Sequence, residues 1–118
     1  MEPESQRTRN LVTIKLLHTF VWAFIAGCIL AIPITGAEGR FHSATILSGI
    51  VLAECLLLAL NHGRCPLTDV AGRYTADRAE NFDIYLPPWL ARYNKIIFGV
   101  IFVVAELFLL WRWMTSVK

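Results

Sequence analysis

Five side chains in this 118-residue chain could do chemistry, and they fall into two groups. His18, Glu54 and Glu106 each interrupt a long apolar run. Ionisable groups in such runs are costly, and by default they mark proton relays, cofactor ligands or polar contacts between helices. His62 and Cys65 stand three apart in Asn61-His62-Gly63-Arg64-Cys65-Pro66-Leu67-Thr68. That spacing lets an imidazole and a thiolate reach one metal ion or a haem iron. A structural zinc site needs four ligands, and neither CxxC nor HxxxH accompanies the pair. The plainer reading of the same stretch is a helix stop. Asn61 or Gly63 would take the left-handed cap, Pro66 would prevent continuation, and Cys65 would pack as a small apolar residue. That reading needs no ligand and is the preferred one.

The elements that must position these residues are membrane helices. The chain is 56% apolar and 17% charged, with a formal net charge of +2 that points to no nucleic-acid partner. The apolar residues lie in runs at 11–34, 41–60 and 96–114, each near the roughly 20 residues that cross a ~30 Å hydrocarbon layer, and the spans are expected at about 11–34, 41–62 and 88–114. None alternates as a barrel strand would, and helices satisfy their backbone internally. We therefore expect an all-α membrane protein of one domain: three transmembrane helices, with an interfacial cytoplasmic segment at 63–87 between the second and third. The first run exceeds a usual signal-peptide core and reads as an uncleaved span. Residues 1–10 read as polar and mobile, and Pro33 as the end or bend of the first helix.

Arg7, Arg9, Lys15, Arg64, Arg73, Arg78, Arg92 and Lys95 fall on one side of this topology, and Arg40, Arg112 and Lys118 on the other. The excess of basic residues places the N-terminus and long loop in the cytoplasm, with the C-terminus outside. Trp111 with Trp113, and Trp89 with Tyr93, would form the two aromatic belts. Lys15 would snorkel, and His42 sits at the outer boundary. In the loop, Thr68-Asp69 and Thr75 are candidate helix caps, and Phe82, Ile84, Tyr85 and Leu86 belong at the membrane interface. Pro88 suits the first position of a new helix. Ser43, Ser48, Gly49 and Ala53 mark a packing face on the second helix, which makes it the natural centre of the bundle. Cys28, Cys55 and Cys65 form no disulfide framework.

Helical rise puts His18 roughly 10 Å and Glu54 roughly 9 Å below the cytoplasmic surface, on antiparallel helices, with Glu106 roughly 15 Å deep. His18 and Glu54 are thus expected to meet, with Glu106 completing a polar cluster. Such a cluster could relay protons, hold a cofactor, or polarise a lipid or quinone head group. More simply, it locks helix register or docks a partner subunit.

Leu16-Leu17-His18, then Cys65-Pro66-Leu67-Thr68, then Phe82-Asp83-Ile84-Tyr85-Leu86-Pro87 resemble, in order and spacing, DUF2784, a family of small bacterial membrane proteins of unknown function. Val70-Ala71-Gly72 stands where that pattern often has an acid, and Ile84 where it often has a histidine. The resemblance implies a fold and no activity. Two function classes remain. One is a non-enzymatic accessory or scaffold subunit, contacting the bilayer and either further copies of itself or a larger membrane complex. The other is a small redox or cofactor-binding protein holding haem or a metal through His18, Glu54, His62 and Cys65. No nucleophile triad, phosphate loop or complete metal motif is present, which favours the first.

Overall fold

A computed structural model describes residues 4–116. Lys118, counted above among the outer basic residues, and the first three residues of the polar N-terminus lie outside it. The elements are α1 (Glu4–Ala37), α2 (Phe41–Leu60), α3 (Pro66–Ala71) and α4 (Pro88–Ser116). Helices make up 79%, and there is no strand among the described residues. α1, α2 and α4 are each long and apolar enough to cross a membrane, with a mean hydropathy of 2.1 over their most apolar windows. This is an all-α membrane protein.

Three boundaries differ from expectation. α1 begins at Glu4, so the polar residues from there to Asn10 are helical and not loose. Propagating an existing helix costs far less than starting one. Glu4 suits the first turn, and Gln6 bonds Asn10 one turn on at 3.2 Å. Pro33 lies inside α1, which runs on to Ala37. Pro33 lacks the N–H that would reach the Ile29 carbonyl, yet the helix continues past it. The Thr35 hydroxyl donates back to the Ala31 and Ile32 carbonyls, both at 3.0 Å. The helix stops at Gly39, whose φ of 76° lets Arg40 N–H reach Thr35 O at 2.9 Å. α2 ends at Leu60, two residues early, for a reason given below.

The chain divides into two compact units. One combines the chain up to Ala23 with Leu57–Tyr93; the other combines Phe24–Leu56 with the chain from Asn94 on.

In the second unit, α1, α2 and α4 pack around Cys28, Ile29, Ile32, Val51 and Ala105, with Phe98, Phe102 and Leu109 closing the edges. The packed face of α2 is Ala44, Ser48 and Val51, spaced i, i+4, i+7. Of the four small residues expected there, only Ser48 is buried; Gly49 and Ala53 are exposed. The centre is α1, with five buried residues against three in α2 and one in α4. Gly36 explains part of that. A Cβ there would come within 3.1 Å of Leu109 Cδ1, so its absence lets α4 lie close. Arg112 also donates to the Gly36 and Ala37 carbonyls at 3.4 and 3.2 Å, closing the end of α1.

In the first unit, the loop folds onto α1 and α3. Ala71, Ile84 and Leu86 are buried, together with Asp83. Ile84 and Leu86 therefore face protein and not the membrane interface, while Tyr85 stays exposed. Asn81 Nδ2 donates to Leu86 O at 2.8 Å and closes the segment on itself. Thr75 accepts from Asp77 N–H at 3.1 Å, but turns follow it and not the expected helix. α4 starts at Pro88, as expected, with Ala91 N–H bonded to Pro87 O at 2.9 Å.

Candidate functional site

Lys15, His18 and Thr19 fall at i, i+3 and i+4 on α1, so they share one face. All three reach the segment 83–85. Lys15 Nζ lies 4.4 Å from the centre of the Tyr85 ring, a cation–π contact in place of simple snorkelling. Thr19 Oγ1 accepts from Tyr85 N–H at 2.9 Å while donating to Lys15 O at 2.7 Å. His18 Nδ1 lies 3.1 Å from the Asp83 carbonyl and 3.4 Å from its carboxylate Oδ2. α3 supplies the last member: the Thr68 hydroxyl donates to that same Oδ2. Thr68 is thus a contact of the site and not the cap expected of it. α3 begins two residues earlier, with Pro66 at its first position and Cys65 at the cap, and no side chain caps it.

The side chains of His18 and Asp83 are 13% and 10% exposed. A carboxylate so sheltered needs partners, and Thr68 and His18 are those partners. Both atoms facing Nδ1 are acceptors. In the neutral ring, Nδ1 therefore carries the hydrogen and Nε2 the lone pair. The order differs from a nucleophile triad, in which the hydroxyl bonds Nε2 and the carboxylate bonds Nδ1. Here the threonine proton goes to the carboxylate. The arrangement orients an imidazole and ties down a loop; it does not activate Thr68.

His18 takes its partner from the loop, and Glu54 makes no hydrogen bond or ion pair among the described residues. Glu106 also bonds outside the predicted cluster: the Ser48 hydroxyl donates to its Oε1 at 2.5 Å, joining α2 to α4. Asp83 was missed, although a carboxylate between Phe82 and Ile84 was a signal for a buried, partnered acid.

His62 and Cys65 are parts of a joint. His62 has a φ of 59° and Gly63 one of 80°, and Gly63 N–H reaches back to Leu58 O at 2.6 Å. This is a Schellman stop in which His62 and Gly63 are both left-handed; of the two residues expected there, Gly63 takes that conformation and Asn61 does not. Asn61 Nδ2 then bonds Arg64 O at 2.6 Å and Asp69 Oδ2 at 3.0 Å, and Arg64 Nε meets Asp69 Oδ1 at 3.2 Å. The last pair is largely exposed and worth little alone. Together the contacts seat α3 against the end of α2. Among the described residues, no group of three or more His, Cys, Asp or Glu side chains could hold a metal ion.

No family model matches the chain, and no curated protein or solved structure matches it.

Proposed function

We propose that this chain is a non-enzymatic accessory or scaffold subunit of a membrane assembly. It is seated in a bacterial inner membrane with the N-terminus and the loop in the cytoplasm and the C-terminus outside. The observation that carries this reading is α4. It spans 29 residues yet buries only Ala105, and leaves Val100, Val103, Val104, Leu107 and Leu110 open along its length. Such a face suits lipid and the flank of another membrane helix alike. The polar groups support the same reading, since His18, Asp83, Thr68, Ser48 and Glu106 are engaged in holding helices and loop together. We also propose membership of the DUF2784 family. In its support, the three stretches that carry the resemblance supply His18, Thr68 and Asp83, which meet at one point.

Two measurements test the reading. Protein extracted from its own membranes in mild detergent should sediment as a species heavier than the 13.3 kDa chain, with a second polypeptide in fixed stoichiometry. A lone chain, or one carrying stoichiometric haem or metal by absorbance and elemental analysis, would refute it. For topology, Thr75→Cys in a background without Cys28, Cys55 and Cys65 should resist an impermeant thiol reagent in intact cells. Labelling there, with Ser116→Cys protected, would reverse the orientation.

A further inference from the structure

Two residues on the open side of α4 are poorly suited to lipid. Gly99 and Glu106 stand seven apart, about two helical turns, and so share one face. A Cβ on Gly99 would meet nothing within 4 Å, so no packing within the described residues calls for a glycine there. The missing side chain instead leaves a shallow apolar groove beside Ile96, Val100 and Val103. One oxygen of Glu106 is engaged: the Ser48 hydroxyl donates to Oε1 at 2.5 Å. The other, Oε2, has no partner among the described residues and is not sealed inside the protein. Ile96, Val103, Leu110 and Trp113, each more than half exposed, extend the line of Gly99 and Glu106 into a seam with alternating spacings of three and four residues. We infer that this seam docks a transmembrane helix of a second, different polypeptide, which sets a hydrogen-bonding side chain against Glu106 Oε2.

Gap and acid together favour a helix over lipid. Acyl chains cover any apolar surface and need neither feature. Membrane helices approach most closely where a side chain is absent, and interhelical hydrogen bonds hold them there. A carboxyl group with an open oxygen deep in a span is costly in hydrocarbon, so a partner for it is favoured. In either protonation state that oxygen has a hydrogen bond to accept or to give, so an amide, hydroxyl or basic side chain answers it. The mean period of 3.5 residues along the seam fits a helix crossing at about 20°. A second copy of the chain in the same orientation would set Glu106 against Glu106, two like acids that hydrogen-bond to each other only by keeping a proton between them. A different helix carries no such restriction. The inference rests on the accessory-subunit reading and names the surface and the chemistry of its contact.

The test extracts the full chain from its own membranes in mild detergent and measures the amount of co-purifying polypeptide per chain. Gly99→Leu fills the groove where the chain itself leaves open space, so it should unfold at the temperature of the unaltered protein yet retain only about one-tenth of the polypeptide. Gly49 on α2 is likewise exposed and uncrowded, and Gly49→Leu should retain it in full. Glu106→Gln keeps the hydrogen bonding and should retain the polypeptide; Glu106→Leu should lose it about ten-fold, the factor for one interhelical hydrogen bond. Benzoylphenylalanine at Val103, irradiated in intact membranes, should crosslink to an apolar segment of about 20 residues in that polypeptide, with a hydrogen-bonding side chain within it. At Trp111, which is exposed but off the seam, it should not. Full retention in both Gly99→Leu and Glu106→Leu would overturn the inference and leave the accessory reading standing. An adduct between two copies of this chain at Val103 would overturn it as well. A chain that purifies with no second polypeptide would remove the accessory reading, and the inference with it.

Discussion

The Thr68–Asp83 contact offers the sharpest test of how the loop is held. Asp83→Ala removes an acceptor that is 7% exposed in the folded chain. The Thr68 hydroxyl then loses its partner, and His18 Nδ1–H keeps only the Asp83 carbonyl at 3.1 Å. A hydrogen bond to a charged group contributes about 1.5–3 kcal/mol. The retained carbonyl contact returns part of what His18 loses, so we expect a loss of about 2 kcal/mol for Asp83→Ala. Thr68→Val keeps the shape, loses one donor, and should cost about 1 kcal/mol. In the Asp83→Ala background, Thr68→Val should cost close to nothing, giving a coupling of about 1 kcal/mol. Reversible denaturant unfolding in detergent micelles measures the cycle. Amide hydrogen exchange over residues 81–86 should show the same rank order, because these residues open first when the clasp is cut. Single effects that add to within about 0.4 kcal/mol would mean that Thr68 and Asp83 do not act together, and the account of the site would fall.

Two further substitutions probe the joint and the second unit. At His62, glycine should stabilise the fold by about 0.5–1 kcal/mol, because a φ of 59° strains any residue with a Cβ, whereas His62→Ala should be near neutral; a loss of stability in His62→Gly, read by thermal unfolding, would assign the imidazole a contact of its own. Ser48→Ala should destabilise by about 1 kcal/mol by stranding the Glu106 carboxyl, and should have almost no effect once Glu106→Leu is in place; an undiminished effect in that background would show that Ser48 acts through packing instead.

Class and element order could be read from the sequence because they depend on runs of one kind of residue. Three stretches near 20 residues with few charges leave helices as the only economical structure in hydrocarbon. Pro88 at the head of α4 and a stop near Asn61 are equally local, since proline lacks an N–H and a reversal of chain direction needs a left-handed residue. Which face of each helix packs was a different matter. In a soluble helix, polarity separates inside from outside, but here both faces are apolar, and Gly49 and Ala53 look no different from Ala44 until α1 and α4 are in place. The partners of the charged groups were hidden for a related reason. His18 and Asp83 lie 65 residues apart, and Ser48 and Glu106 lie 58 apart. For His18 the partner came from the inward fold of residues 82–86, which depth along a helix does not reveal. The helices follow from local composition; the site follows from where the loop returns, and that is set only when the whole chain has packed.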